Sequence, residues 1–293
     1  MDIVRFKGGL GNQMFQYALM EALRHRGREV HASLGYYDNG GMGRKFVLGE
    51  VFPNTELMEI EDGIFQEINQ KWRKIKEIPE HAEIFKQNLK ERFFYVEDQN
   101  SIFDEKVFQT VSCAFVGYWQ TEKYFHDIKD TIRDKYSFFV RDVKLQELAE
   151  RLRENYFSIH IRQGDYLTDY FKVVYGGICT EEYYRKAAEY VKERVPDAKF
   201  IIFSDETERL DLAIGKPETG NCIVFDRNKF MCYQDWYDMY LMSNCKGNIM
   251  ANSSFSWWGA WLNQNPDKMV ITPKIWLNGQ DTPDIWCDGW IRM

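Results

Sequence analysis

The sequence predicts an α/β protein in two domains. Short apolar runs alternate with helical patterns from the N-terminus onward, and that alternation restarts after residue 150. The length, 293 residues, suits two average domains.

Ile3 to Phe6 reads as a short buried strand, followed by a tight loop at Gly8, Gly9 and Gly11. Met14, Phe15, Ala18, Leu19, Ala22 and Leu23 recur at helical spacing up to Gly27, a C-cap. Val30 to Leu34 resumes a strand and completes a β-α-β unit. Residues 35–56 are glycine-rich and aperiodic, and read as loop. Residues 63–78 read as a helix with Phe65, Ile68, Trp72 and Ile75 on one stripe. Ala114 to Trp119 reads as a strand, and Thr121 as the N-cap of a helix carrying Tyr124, Ile128, Ile132 and Tyr136. Leu145, Leu148 and Leu152 mark a further helix that ends near Asn155.

Strands and helices then follow in turn. Phe157 to Arg162 is a strand, and Thr180 caps a helix that Pro196 closes. Lys199 to Asp205 and Ile223 to Asp226 are strands, followed by a helix from Gln234 to Cys245. Asn248 to Ala251 is a strand, Ser254 to Asn263 a helix, and Val270 to Thr272 a last short strand. The boundary falls near residues 145–155. This gives domains 1–150 and 151–293, with the tail 274–293 crossing back to the first.

Composition narrows the function classes. Hydrophobic residues at 44% and charged residues at 28% fit a globular protein. A net charge of −7 argues against nucleic acid as a partner, which needs a broad basic surface. A small phosphorylated ligand needs only one or two placed arginines. The six cysteines show no C-x-x-C spacing, so neither zinc nor a disulfide framework is expected. No apolar run approaches the roughly 18 residues of a membrane span. The N-terminus has no signal-peptide core. The expectation is a cytoplasmic protein. Aromatic residues reach 16%, with nine Trp. They fill a core, or offer flat faces to sugar rings.

Four strand ends carry polar chemistry. In Gly8 to Gln13, GGLGNQ, glycines open a helix whose N–H groups attract anions. Met14 replaces the last glycine of the dinucleotide fingerprint, and a plain tight turn capped by Asn12 also fits. In Ser158 to Tyr166, SIHIRQGDY, strand alternation puts His160 and Arg162 on one face. Arg162 ends the strand, where an open α/β sheet binds ligands and a guanidinium can hold a diphosphate. The other readings are an ion pair with Asp165 and a core histidine. Ser204 and Asp205 end the next strand, as ligand groups or helix caps. In ANSSFSWWGAWL, Ala251 to Leu262, hydroxyls precede a helix N-terminus and form a phosphate cradle. Trp257, Trp258 and Trp261 read more readily as core than as sugar platforms. There is no Walker loop, strict Asp-x-Asp, H-E-x-x-H or G-x-S-x-G.

With these residues in view, the chain resembles glycosyltransferase family 11, the α-1,2-fucosyltransferases, of bacterial type. The resemblance rests on GGLGNQMFQYA at 8–18, HIRQGDY at 160–166 and NSSFSWWGAWL at 252–262, in the family's order. It implies two Rossmann-like domains facing each other (GT-B), the first on the acceptor side and the second binding GDP-fucose. It implies inverting transfer of L-fucose from GDP-β-L-fucose to the 2-hydroxyl of a terminal β-galactoside. No metal, cofactor or membrane anchor is expected.

For such a transfer Arg162 is expected to stabilise the leaving phosphate and Asn12 to orient the sugar or phosphate, which makes both candidates for catalysis. Asp165 is a candidate base, with a structural role as the alternative. Gly9, Gly11, Gln13, His160, Ser204, Asn252, Ser253, Ser254 and Phe255 would line the donor. Asp238, sixteen positions before Ser254, would accept from guanine N1–H and N2–H₂, or is an ordinary first-turn Asp. The family often has a second Arg where this chain has Gln163. Acceptor choice is expected in residues 35–110. Other readings are a transferase of a different nucleotide sugar and a glycan-binding protein.

Overall fold

The computed structural model describes residues 1–38, 40, 43–60, 94–98, 100–164, 166, 168–205, 222–230 and 233–293. The helix expected over 63–78 lies outside them, as do Asp165 and much of the 35–110 stretch. The chain divides into two compact units, Met1–Ser137 with Pro283–Ile285, and Phe138–Thr282 with Trp286–Met293. Each is α/β and carries its own parallel sheet. No helix among the described residues is long and apolar enough to cross a membrane.

In the first unit, β1 (Asp2–Arg5) runs into Gly8, whose φ of +83° suits glycine. α1 (Leu10–His25) buries Met14, Phe15, Ala18, Leu19, Ala22 and Leu23, the stripe its period predicts. It ends in a Schellman turn. Gly27, at φ +76°, donates to the Arg24 carbonyl at 2.8 Å, and Arg28 donates to Leu23 at 3.3 Å. β2 (Val30–Ser33) follows. The stretch read as loop carries two single turns, α2 (Gly35–Asp38) and α3 (Leu48–Val51). Both are too short to show a period, as are β3 (Phe94–Val96) and α4 (Lys106–Gln109). β4 (Ala114–Val116) stops short of its expected end, and Trp119 beyond it has a left-handed φ of +58°.

Thr121 does cap, accepting from the Lys123 N–H at 3.2 Å, but it caps a 3₁₀ turn, Glu122–Tyr124. A second turn, His126–Ile128, leads into α5 (Lys129–Lys135). The single helix expected here is therefore in three pieces, which still bury Tyr124, Ile128, Ile132 and Tyr136. The strands lie in the order β2-β1-β4-β3, all parallel. Of the tail, Pro283–Ile285 groups with this unit. There Asp284 accepts from the Phe103 N–H at 2.8 Å and pairs with Lys123 at 2.5 Å.

The second unit opens with α6 (Val143–Asn155), capped by Asp142, which accepts from Lys144 and Leu145 N–H groups. β5 (Tyr156–Ile161), α7 (Asp169–Tyr175) and α8 (Glu181–Arg194) follow, with α7 absent from the sequence reading. Thr180 caps α8 as expected, through the Tyr183 N–H. The remaining elements are β6 (Lys199–Ser204), β7 (Cys222–Val224), α9 (Trp236–Ser243), β8 (Gly247–Ile249), α10 (Ser254–Leu262), β9 (Met269–Thr272) and a further short strand, β10 (Ile291–Arg292). The sheet order is β10-β9-β8-β5-β6-β7, all parallel. Read from β7, this is the doubly wound dinucleotide-fold order, with its switch point between β5 and β8.

One core packs Phe157, Ile159 and Ile161 of β5 against Tyr183, Tyr184, Ala187 and Val191 of α8. Alternation therefore sends Ser158 and His160 to the opposite face. Trp257, Trp258 and Trp261 are buried against one another, and Trp257 also packs on Trp290, which settles them as core.

Gly247 starts β8 where a Cβ would lie 2.5 Å from both the Met269 carbonyl and the Phe157 ring. Gly247→Ala should cost about 1–3 kcal/mol through overpacking. The measurement is a urea transition whose midpoint falls at unchanged slope. An unmoved midpoint would mean that the strand start is looser than this packing.

Candidate functional site

The C-terminal edge of the second sheet gathers polar groups from three neighbouring strands and one helix. At the end of β5, Arg162 Nη1 pairs with Asp205 Oδ2 at 2.8 Å. The Gln163 N–H donates to the other oxygen, Asp205 Oδ1, at 2.9 Å. A Cβ on Gly164 would meet Asp205 Oδ2 at 2.5 Å, so the loop needs glycine for this carboxylate to sit there. Arg162 thus pairs with Asp205 from β6, a pairing across strands that spacing along the chain does not show. Asp165, the sequence's alternative partner and candidate base, lies outside the described residues. Ser204, ending β6, is buried beside this pair.

His160 is 5% exposed, and its Nδ1 has no hydrogen-bond partner among the described residues. Its ring lies 5.8 Å from that of Phe255. Burial pulls its pKa down to about 4, with Asp205 opposing the shift and Arg162 adding to it. The imidazole is therefore neutral at physiological pH. The Gln163 Oε1 is a second buried polar atom without a partner among the described residues, at the same strand end. Two such atoms in one place are what a polar ligand or ordered water would complete.

α10 begins at this edge. Ser253 is its N-cap, yet its side chain caps no N–H, so the first-turn donors stay available to an anion. Ser254 and Phe255 are partly exposed there. Asn252 behaves differently from its expected role as a donor contact. Its Nδ2 donates to the Tyr175 and Trp276 carbonyls, both at 3.2 Å, and its Oδ1 accepts from Cys179 Sγ at 3.4 Å. Both ends of the amide are spent inside the fold, and its carbonyl accepts from the Tyr166 hydroxyl at 2.9 Å. Asn252 anchors the turn that aims α10.

Asp238 also departs from expectation. It is 1% exposed, and its two oxygens accept from Arg227 Nη2 and the Tyr233 hydroxyl. Burial pushes its carboxyl up to about 6, with Arg227 as the main opposing influence. The group turned outward is Arg227, which the sequence reading missed because its partner lies eleven residues away.

The first unit has its own polar strand end. Asn12 accepts from Gln120 Nε2 at 2.8 Å, and a Cβ on Gly8 would press 2.5 Å from Asn12 Nδ2. Gly9 has no such constraint: its φ is −79° and a Cβ would touch nothing within 4 Å. That leaves open space beside the N-terminus of α1. Gly11 is buried in the first turn. Gln13 is fully buried, donates to the Gly8 and Lys45 carbonyls and accepts from the Val47 N–H. These bonds latch its own loop. Two further residues went unread. Glu97 accepts from the Tyr118 and Trp119 N–H groups at 2.6 and 3.1 Å. Lys7 lies 4.1 Å over the Tyr118 ring, and burial lowers its pKa to about 8 against the pull of Glu97.

Residues 63–293 match the model of glycosyl transferase family 11. An alpha-1,2-colitosyltransferase of Escherichia coli is 32% identical, over 99% of this chain and 98% of that protein. The O-antigen biosynthesis glycosyltransferase WbnK of Escherichia coli is 29% identical over 98% of both chains. A galactoside alpha-(1,2)-fucosyltransferase 1 of Saimiri boliviensis boliviensis is 24% identical over 47% of this chain and 40% of its own length.

The neutral, buried state of His160 carries a pH signature. An ordinary histidine titrates near 6.5 in the unfolded chain, whereas His160 in the fold titrates at about 4. Its contribution to stability is whole above pH 6.5 and is lost as pH falls toward 4. Compared with His160→Gln, the wild type should lose ~2 kcal/mol more stability on going from pH 7.5 to pH 5. Denaturant melts of both proteins at the two pH values give this difference directly. Parallel pH dependence in the two would show that His160 titrates normally.

Proposed function

The chain belongs to glycosyltransferase family 11, and we propose that it transfers L-fucose from GDP-β-L-fucose to the 2-hydroxyl of a terminal β-galactoside, inverting the anomeric carbon. The observation that carries this reading is the pairing of an oriented cation with an uncapped helix. Asp205 fixes Arg162 at the end of β5, and the first turn of α10 opens on the same edge of the sheet, at its switch point. That combination suits a diphosphate leaving group.

In an inverting transfer, the acceptor oxygen forms a bond to the anomeric carbon as the bond from that carbon to the β-phosphate oxygen breaks. GDP leaves with the electron pair, and the acceptor proton passes to a base or to water. Negative charge grows on the β-phosphate. Arg162 and the α10 N–H groups would stabilise that charge most where it is greatest, in the transition state. We assign neutralisation of the diphosphate to these groups and not to a divalent cation. The 1,2 linkage follows the names of the colitosyl- and fucosyltransferase relatives.

A second reading is favoured by the 32% identical relative, named for colitose. Colitose is L-fucose without its 3-hydroxyl, so both donors would present the same diphosphate. GDP-fucose and GDP-colitose, each incubated with lactose in the presence of EDTA and read by mass spectrometry, separate the two. Product from neither donor, together with no binding of GDP, would sink the transferase reading of this edge.

Arg162→Ala removes one charge-assisted bond of about 1.5–3 kcal/mol. kcat/KM should therefore fall roughly 10- to 100-fold, and further if the contact strengthens in the transition state. Near-wild-type turnover by this variant would overturn the assigned role.

A further inference from the structure

We infer that Arg227, held by Asp238, reads the nucleotide base of the donor, and that it does so from the guanine O6 and N7 edge. This rests on the reading of the second unit as a GDP-sugar site.

The register of the sheet places Arg227. Ile202 of β6 pairs with Val224 of β7, and the Phe225 N–H donates to the Ile202 carbonyl at 2.9 Å. The Phe203 and Phe225 rings continue the match at 5.2 Å. Arg227 opens a 3₁₀ turn, Arg227–Lys229, just past that match, and its charge acts on His160 of β5 together with that of Arg162. Adjacent strands are about 4.8 Å apart, so the edge from β8 to β7 spans roughly 14 Å, a distance an extended nucleoside diphosphate can cover. With the phosphates at α10 and Arg162, the base reaches the β7 end. At the other end of this edge, past β9, Trp276 is 2% exposed and its carbonyl is tied to Asn252.

What the β7 end presents is a donor fork. Asp238 lies behind, with both oxygens engaged by Arg227 and Tyr233. The Arg227 side chain is 32% exposed and also meets Asp235 at 3.6 Å. A guanidinium has five N–H donors in a plane, more than these carboxylates use. Guanine offers two adjacent acceptors, O6 and N7, to such a fork. Adenine pairs its N7 with an amino donor, which would oppose it. Asp238 is then a positioning residue that sets the angle of the fork, and the 2-amino group of guanine is not read.

Calorimetric titration of the wild type, Arg227→Met and the double variant Arg227→Met/Asp238→Asn with GDP, IDP and ADP tests this. IDP keeps O6 and N7 but lacks the 2-amino group. The wild type should bind IDP as tightly as GDP, and ADP roughly 5- to 150-fold more weakly. Loss of Arg227 should bring GDP down to the level of ADP while ADP binding stays within a few-fold. The double variant removes the buried carboxylate along with its cation, so it can fold where the single variant does not. The wild-type comparison of IDP with GDP decides even if neither variant folds. IDP binding as weak as ADP, or GDP and ADP weakening together in the variants, would overturn the inference. Full discrimination without Arg227 would overturn it while leaving the GDP site intact. A wild type that binds none of the three would remove that site as well.

Discussion

The polar edge of the second unit depends on one carboxylate. Asp205 receives Arg162 on one oxygen and the Gln163 N–H on the other. It therefore ties the ends of β5 and β6 together and fixes the rotamer of an otherwise flexible cation. An arginine left to solvent would lose much of its binding strength to ordering its own side chain. Here that ordering is done during folding. The arrangement also dictates the local sequence: Gly164 must lack a Cβ, because the carboxylate occupies the space beside it. The conjunction of Arg, Gln and Gly in HIRQGDY is thus a packing requirement as much as a chemical one.

Around this ion pair the protein uses neutral amides to connect its elements. Asn248 Nδ2 donates to Ser158 Oγ and to the Met242 carbonyl, and its Oδ1 accepts from Asn263 Nδ2. Gln16 donates to the Gly117 carbonyl and accepts from the Lys7 N–H, linking α1 to two strand ends of the first unit. An amide both donates and accepts, so it can be buried and fully satisfied without bringing charge into the core. The charged pair of Arg162 and Asp205 stands instead at the strand ends, where the chain is partly exposed.

Much of the fold was legible because its longer helices carry a clear period and clear caps. The C-terminal end of α1 and the helices α6, α8 and α10 were placed within a residue or two, and Thr180 caps as the pattern requires. The one-turn helices and the short strand β3 were not, since a period needs more than one turn to show. The break-up of the helix after Thr121 had no local signal, although its expected apolar residues Tyr124, Ile128, Ile132 and Tyr136 are buried. For the polar edges, motifs pointed to strand ends where polar groups do gather, but they could not tell a group facing outward from one consumed inside the fold. Gln13 and Asn252 sit within highly polar motifs and are spent on backbone carbonyls. Arg227, Lys7 and Glu97 went unread because their partners come from other elements.

The two units solve a similar problem with different cations. Each places a cation just past its first strand and a carboxylate just past another strand of the same sheet: Lys7 after β1 with Glu97 after β3, and Arg162 after β5 with Asp205 after β6. The guanidinium remains charged at every pH the fold survives, and its planar fork gives a fixed direction. It suits a task in which charge must be present and aimed before any bond breaks. The amine of Lys7, brought down to about 8 by burial, holds its proton less firmly. Glu97 beside it is raised by burial while two backbone N–H groups favour its charged form. One strand end therefore carries a fixed charge, and the other an amine whose charge burial weakens. That division follows from the choice of Arg against Lys in two otherwise comparable positions.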